Sequence, residues 1–171
     1  MCTRGGGVTP GVVLTFKGKF LVLTSRYGLE IRAATVADAP GLATLLAEAG
    51  YVIDARELAE RTGALRTAAG ATLIALRWGP PSGLMEMHWY RTLEAARPVA
   101  QITTLLVGVE ERRLGIGRLL VKAAAQAART AGCGSLHISV PQDATDLHEF
   151  CRATGFAEAG SLFTRSLRKQ A

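Results

Sequence analysis

The amino-acid sequence predicts an α/β (α+β) fold in a single domain. Residues 102–132 contain an apolar strand, a glycine turn and a long alanine-rich helix in direct succession. Two helix-capping signatures lie upstream of this stretch. Two apolar runs follow these signatures and precede residue 102, and a turn rich in proline and glycine separates the two runs. The chain has 171 residues, enough to bury a sizeable core.

The first two predicted helices are marked by their N-terminal caps. Thr35 and Asp38 form a capping box, and the helix that follows runs to about Ala49. Asp54 and Glu57 repeat the signature and open a second helix, which we expect to end near 69–70. The core face of the first helix consists of Leu42, Leu45 and Leu46.

Two strands are predicted next, at 71–78 and 84–93, joined by the turn 79–83. The second strand alternates, so that one face carries Met85, Met87 and Trp89 and the other carries Glu86, His88 and Tyr90. The polar row either lines a substrate cleft or is the solvated face of the strand. Both interpretations fit the sequence.

The central stretch predicts a phosphate-binding junction. An apolar strand at 105–109 is followed by the turn 112–117 and by a helix that begins at Ile116 and stops at Gly132. One stripe of this helix contains Leu120, Ala124, Ala127 and Ala131. Glycines allow a ligand to approach the backbone, and the first N–H groups of a helix favour an anion. Arg112, Arg113 and Arg118 add positive charge.

The C-terminal part is predicted to contain three more elements. Residues 135–140 form a strand parallel to the central one, since a helix connects the two. Asp143 or Thr145 caps a short helix to about Thr154, with Gly155 as its left-handed stop. The tail 156–167 is expected to be a final strand.

Two sequence blocks carry a resemblance to a known family. Residues 107–117 resemble the signature of the GNAT superfamily, the acyl-CoA-dependent N-acyltransferases. That signature follows a strand that ends in an apolar-x-Val pattern. It consists of Arg or Gln, any two residues, Gly, any one residue, and then Gly or Ala. Residues 150–156 are similar to its second block, Leu-Tyr-x-x-x-Gly-Phe. Other phosphate loops do not fit, because the P-loop lysine is absent and Leu120 stands where a dinucleotide fingerprint has its third glycine.

The resemblance implies a fold and an activity. The fold is a mixed, mostly antiparallel sheet of about six to seven strands, splayed at strands four and five, with helices on both faces. The activity is transfer of an acetyl group from acetyl-CoA to a primary amine, by direct attack in a ternary complex. The acceptor is a small amine or a protein amino group. Dimers are frequent in the family, so a homodimer is one option.

The resemblance also implies which residues bind acetyl-CoA. Its pantetheine arm pairs with the fourth strand, and its pyrophosphate lies on backbone N–H groups from Arg113 to Arg118. The N–H of Val107 stabilises the oxyanion. The expected binding residues are Leu105, Leu106, Val107, Val109, Arg112, Arg113, Leu114, Gly115, Ile116, Gly117 and Arg118.

The catalytic groups depart from the family pattern. Cys151 stands where the family often has a tyrosine that protonates the leaving thiolate, and Ala144 stands at the position of a pantetheine-binding asparagine. Glu86 and His88 are the candidate bases, ahead of Glu110 and Glu111. His137 is expected to be a structural residue. The departures leave one alternative function, a non-catalytic CoA-binding regulatory module.

Composition excludes other classes of function. The net charge is +6, but residues 1–28 hold four of the 20 basic residues and no acid, which leaves 16 basic against 14 acidic residues. With no basic stripe interleaved with aromatics, we expect no nucleic-acid partner. No apolar run is long enough for a membrane span, and the three cysteines have no metal spacing. We therefore expect a cytoplasmic protein without a metal site.

The N-terminal residues allow two interpretations. Residues 1–28 either contain a hairpin turning at 17–19 or precede the true domain, with Leu29 as the original start. The second interpretation rests on the absence of Met between Met1 and Met85 and on residues 29–34, which resemble the first strand of the family. The predicted organisation is an extension at 1–28 and an acetyltransferase domain at 29–171.

Overall fold

The computed structural model describes residues 23–24 and 28–165 of the chain. These residues contain a six-stranded sheet whose strands lie in chain order. The strands are β1 (Leu23–Thr24), β2 (Glu30–Ala33), β3 (Gly70–Leu76), β4 (Pro81–Tyr90), β5 (Val99–Val107) and β6 (Ser135–Ile138). The helices are α1 (Ala39–Glu48), α2 (Ala55–Leu65), α3 (Ile116–Thr130) and α4 (Thr145–Ala153).

The sheet is mixed, as expected. Each neighbouring pair from β1 to β5 is antiparallel. β6 lies beside β5 and follows it through α3, the crossover that parallel strands require. Since β1 contains only two residues, five strands of four or more residues form the body of the sheet within the described ranges, slightly fewer than the expected six to seven.

Helices cover both faces of the sheet. Neighbouring side chains of β4 point to opposite faces, and each of the two faces packs against a helix. Leu84 belongs to a buried cluster with Leu42 and Leu45 of α1. A side chain at the adjacent Gly83 would lie 3.0 Å from Cγ2 of Ile116 in α3. The predicted core residues Leu42, Leu45 and Leu46 are buried as expected.

The caps that organise α1 and α2 are largely those that the sequence predicts. Asp54 Oδ1 accepts hydrogen bonds from the backbone of Arg56 and Glu57 and begins α2. Asp38 Oδ2 accepts from Thr35 N at 2.8 Å, and a short 3-10 turn (Val36–Asp38) precedes α1. Arg32 of β2 reaches the same carboxylate with two bonds of 2.7 and 2.8 Å.

Several predicted boundaries were wrong by a few residues. α2 ends at Leu65, because residues 66–68 tighten into turns before β3 begins at Gly70. β4 begins at Pro81. Proline has no backbone N–H to donate to a neighbouring strand, and it is tolerated here because it is the first residue of the strand. β5 ends at Val107, because Val109–Glu111 form a 3-10 turn closed by Glu111 N on Gly108 O.

The chain divides into two compact units between His137 and Ile138. In the second unit, Gly155 has φ +90° and Phe156 N donates to Cys151 O, so the predicted left-handed stop of α4 is confirmed. The predicted cap was wrong. Ala144 is the N-cap residue and makes no side-chain capping bond, because Asp143 and Thr145 lie one residue to either side of that position.

Two further expectations failed in the C-terminal region. Residues 156–165 form no strand, and Leu162 and Phe163 are 71% and 92% exposed in the second unit, so the apolar side chains of this tail are not buried as those of a strand would be. His137 was expected to be structural, yet it is exposed on β6. The turn 17–19 of the predicted N-terminal hairpin lies outside the described residues.

Asp38→Asn is expected to lower the free energy of unfolding by about 2 kcal/mol at pH 7. The Arg32 hydrogen bond lowers the pKa of Asp38 from 3.8 to about 2. A lowered folded-state pKa contributes stability that is complete above about pH 4 and is lost as the pH falls towards 2. Urea unfolding at pH 7, 4, 3 and 2 should show that the difference in free energy of unfolding between the native chain and the variant shrinks as the pH falls from 4 to 2.

A suitable control is Glu60→Gln, which removes an ion pair whose carboxylate is 71% exposed. It should change the free energy of unfolding by less than about 1 kcal/mol at every pH. If the free energies of unfolding of the native chain and of Asp38→Asn differed by a constant amount from pH 7 to pH 2, the assigned role of the carboxylate would be contradicted.

Candidate functional site

The junction between β5 and α3 reverses the chain with two left-handed residues. Arg113 has φ +66° and Gly115 has φ +83°. A side chain at Gly115 would meet nothing within 4 Å, so glycine is favoured there by the backbone torsion and not by lack of space. Arg112, Arg113 and Leu114 are exposed along the turn. The predicted glycine turn is therefore present, with a left-handed arginine that the sequence did not indicate.

The first turn of α3 presents backbone donors to this junction. The first helical bond runs from Leu119 N to Gly115 O, so the N–H groups of 116–118 have no helical acceptor. The first turn of α3 contains no acidic residue. Together with the charges of Arg113 and Arg118, these donors make the helix end suited to an anion.

The outer edge of β5 carries backbone groups that point away from β4. Gly108 N donates to Ser82 O at 3.0 Å, and in an antiparallel pair every second residue bonds the partner strand. Leu105 and Val107 therefore direct their N–H and C=O groups away from β4. Arg112 Nε already donates to Val107 O at 3.4 Å. Leu106 instead directs its backbone at β4 and packs its side chain against the α1 core.

β6 is too short to pair with this part of β5. Gly134 N donates to Pro98 O at 2.9 Å, so the two strands begin at the same level. β6 has four residues and β5 has nine. Leu105, Leu106 and Val107 are correspondingly half-buried, whereas the apolar run predicts complete burial.

A β-bulge interrupts β5 just before this edge. Glu86 pairs with Thr104 and Met87 with Ile102, so Thr103 is an extra residue in β5. The Thr103 hydroxyl donates to Glu86 O at 3.4 Å. A bulge bends its strand, which suits the divergence of two neighbouring strands. The bulge depends on strand register, and no local sequence signal marks it.

Glu86 and His88 contact one another on β4. His88 Nε2 lies 2.8 Å from Glu86 Oε1, and the side chains are 35% and 21% exposed respectively. A Cβ at Gly70 of β3 would lie 3.0 Å from His88 Nδ1 and 2.5 Å from Met87 O, so the close approach of His88 requires this glycine. Glu86 and His88 thus form a partly buried, hydrogen-bonded pair.

The register places this pair at different distances from the two outward amides of β5. Val107 pairs with Gly83, three residues from Glu86 along β4, which corresponds to about 10 Å. Leu105 pairs with Met85, next to Glu86. The amide of Leu105 therefore lies closer to the carboxylate than the predicted amide of Val107 does.

Glu110 and Glu111, the weaker candidate bases, line a cavity that does not include Glu86 or His88. This cavity has a volume of about 460 Å³ and also contacts Glu48 of α1. Glu111 is paired with Arg77 at 3.4 Å. The buried side chain of Leu84, packed with Leu106, lies between this cavity and Glu86 along β4.

Cys151, the candidate acid, belongs to α4 in the second unit. It is 7% exposed, and burial raises the pKa of its thiol. A raised thiol pKa keeps the proton on sulfur at neutral pH. In the same unit, His148 Nε2 lies 3.0 Å from Pro141 O.

The described residues offer no sign of a metal or a membrane span. Residues 23–24 and 28–165 contain no group of three His, Cys, Asp or Glu side chains placed to hold an ion. Among the helices in those ranges, none has the length and apolar character of a membrane span.

Comparison with known proteins identifies relatives of this arrangement. The sequence model of the Acetyltransferase (GNAT) family matches residues 41–156. The sequence matches no curated protein. An acetyltransferase structure from Trypanosoma brucei superposes with a TM-score of 0.72 at 20% identity, covering 81% of this chain and 99% of that one.

Two further solved structures are also similar in fold. An aminoglycoside acetyltransferase from an uncultured soil metagenomic sample, in complex with sisomicin, has a TM-score of 0.68 at 21% identity, covering 82% of this chain and 97% of that one. AAC(6')-Iy, in complex with the bisubstrate analog CoA-S-monomethyl-acetylneamine, has a TM-score of 0.72 at 17% identity, covering 82% of this chain and 98% of that one.

Gly70→Ala is expected to destabilise the chain by about 1–3 kcal/mol, because its methyl group would overlap the Met87 carbonyl and the His88 ring. The matched control is Gly63→Ala in α2, where the nearest atom to the added carbon lies at 3.7 Å. There alanine should stabilise the helix by up to about 1 kcal/mol. Urea unfolding of both variants measures the difference. Equal effects would show that the contact between Gly70 and His88 is not tight.

Proposed function

Because the chain belongs to the GNAT acetyltransferase family, we propose that it transfers an acetyl group from acetyl-CoA to a primary amine. The amine attacks the thioester directly while both substrates are bound. The catalytic domain spans residues 29–171. The observation that carries the proposal is the junction of β5 and α3, where a helix N-terminus and an outward-facing strand edge lie next to each other.

The helix end provides the donor site. The free N–H groups of 116–118 and the left-handed turn at Arg113 and Gly115 offer hydrogen bonds to a pyrophosphate. Arg118 in the first turn and the exposed Arg113 add charge. The amides of the pantetheine arm then pair with the outward N–H and C=O groups of β5 at Leu105 and Val107.

The same strand edge stabilises the charge that develops on the thioester carbonyl oxygen. The backbone N–H of Val107 is one donor of suitable direction, and that of Leu105 is the other. Leu105 is placed closer to Glu86, so an amine held between them would meet both a hydrogen-bond donor and a carboxylate. Positioning of the two substrates supplies a further large part of the rate.

Glu86 and His88 take the proton of the attacking amine. An ammonium group must lose a proton before it can attack, and the carboxylate of Glu86 is a base on the β4 face beside the bulge. His88 Nε2 is held by Glu86, so the two side chains act as one unit, either on the amine itself or through a water molecule.

Cys151 is the proposed source of a proton for the departing thiolate. The buried thiol keeps its proton at neutral pH. Free thiols have pKa values of about 8.5, so CoA departs as thiolate without much assistance. We therefore assign Cys151 a minor contribution to the rate.

A second candidate function is a CoA-binding module without catalysis. It is favoured by the residues that replace the tyrosine and asparagine of the family pattern, Cys151 and Ala144, neither of which extends a long polar side chain. Both functions share the donor site and differ in amine turnover.

Acetyl-CoA at about 100 times its Kd is expected to raise the melting temperature by about 5–10 °C. The variant Gly117→Arg should abolish the shift, because its side chain fills the space at the first turn of α3 where phosphate would lie. Gly117→Ala is the control and should keep the shift, since alanine is accepted at this position of the family signature. No shift for the native chain at millimolar acetyl-CoA would exclude both candidate functions.

Glu86→Gln is expected to lower kcat by about 100-fold or more, because the amide cannot accept the amine proton. The matched control is Glu48→Gln, an exposed carboxylate on the cavity away from Glu86, which should change kcat by less than about twofold. Thiol release across an amine panel measures both. An unchanged kcat in Glu86→Gln would refute the assignment of the base, and absence of turnover with a retained acetyl-CoA shift would favour the binding module.

A further inference from the structure

An apolar cavity of about 300 Å³ lies beside the last turns of α3. Ala127 and Ala131 form its wall on the helix, and Ala33 of β2 and Leu73 of β3 belong to its wall on the sheet. The helix rises about 16 Å from Ile116 to Ala127. The cavity is therefore separate from the anion site at the first turn of α3 and has no role in the chemistry described above.

The size of the cavity is that of a site for a small ligand. Small-molecule sites in proteins begin at volumes of about 300 Å³, which this cavity reaches. An apolar cavity of about 150 Å³ is large enough to bind benzene. By proportion, a cavity of twice that volume holds a molecule of roughly twelve non-hydrogen atoms.

Trp89 of β4 supplies the largest side chain of the cavity wall. It shares its face of the strand with Met85 and Met87, which are completely buried. Trp89 itself is only half-buried, so part of its surface stays uncovered where it lines the cavity. The rest of the wall consists mostly of alanine, leucine and glycine. A hydrocarbon ligand would bury this aromatic and aliphatic surface, which is favourable.

A single positive charge marks the mouth of the cavity. Among the described residues that line it, Arg66 is the one charged residue, and it is exposed. Arg61 of the same helical segment pairs with Glu57, whereas Arg66 has no carboxylate partner in the part of the chain that the structure describes. A guanidinium group binds a carboxylate through two parallel hydrogen bonds. The cavity therefore combines apolar walls with one group that selects an anion.

We propose that this cavity binds an apolar monocarboxylate of roughly twelve non-hydrogen atoms. The hydrocarbon part of the ligand lies against Trp89 and Leu73, and its carboxylate pairs with Arg66 at the mouth. Decanoate has this size and charge and is the probe for the tests below. The site is additional to the proposed transfer of an acetyl group, and its occupancy does not depend on acetyl-CoA.

Tryptophan fluorescence of the full-length chain measures binding at this site. The chain contains two tryptophans, and Trp78 is 80% exposed and does not line the cavity. The variant Trp78→Phe therefore leaves Trp89 as the single reporter. Titration with decanoate should change the emission of Trp89 in a saturable way, with half-saturation below about 1 mM. Absence of a saturable change would overturn the proposal.

The neutral isostere decanamide tests the role of the charge. It should bind about fivefold more weakly than decanoate, because it cannot form an ion pair with Arg66. Arg66→Gln should weaken the binding of decanoate by about the same factor and leave that of decanamide unchanged. The matched control is Arg61→Gln, which should leave the affinity for decanoate unchanged, since Arg61 does not line the cavity. Equal affinities for decanoate and decanamide without the Arg66 substitution would refute the selection of a carboxylate.

Filling the cavity tests where the ligand binds. Ala127→Leu places a larger side chain in the wall and should weaken the binding of decanoate at least about tenfold. Ala125→Leu, on the same helix but outside the cavity wall, is the control and should keep the affinity. A cooperative thermal transition shows that each variant is folded, and if Ala127→Leu is not, the comparison of decanoate with decanamide decides. Undiminished binding by a folded Ala127→Leu variant would place decanoate elsewhere and overturn the proposal.

Discussion

The close approach of α3 to β4 is the contact on which the rest of the structure depends. Gly83 makes it possible, because a side chain there would lie 3.0 Å from Ile116 and 3.1 Å from Leu120. Ile116 and Leu120 are almost completely buried. The helix therefore begins directly on the sheet, and the chain has only the turn 108–115 in which to reverse. Such a short reversal needs the left-handed residues Arg113 and Gly115. The free N–H groups of the helix are thus held at a fixed place beside the end of β5, which a preorganised anion site requires.

A second constraint acts on β5 itself, which serves two partners of different length. β4 pairs along all of β5 apart from the bulge at Thr103, whereas β6 has four residues. The bulge and the short neighbour together leave the backbone of Leu105 and Val107 directed away from β4. The bulge also sets the offset between these amides and Glu86, since without the extra residue every later residue of β5 would face the opposite side. One irregularity of the ladder therefore aligns the proposed donor site with the proposed base.

The two ends of α3 serve different purposes in this account. Its N-terminal end carries the proposed chemistry, with arginines and free amides. Its C-terminal end borders an apolar cavity whose walls include Ala33 of β2 and Leu73 of β3. The ion pair of Arg32 and Asp38 links β2 to the beginning of α1.

Local features of this protein were determined by the sequence, and features that depend on pairing were decided by the tertiary structure. The succession of β5, turn and α3, the cap at Asp54 and the stop at Gly155 could be predicted, because torsion preferences and capping act over a few residues. Of the strand predicted at 156–167, residues 156–165 form none, because a strand exists only where another strand pairs with it. The half-burial of Leu105, the bulge at Thr103 and the contact of Glu86 with His88 over Gly70 could not be predicted. Each depends on which residues of distant strands lie opposite one another, and that register is set by the packing of the whole sheet.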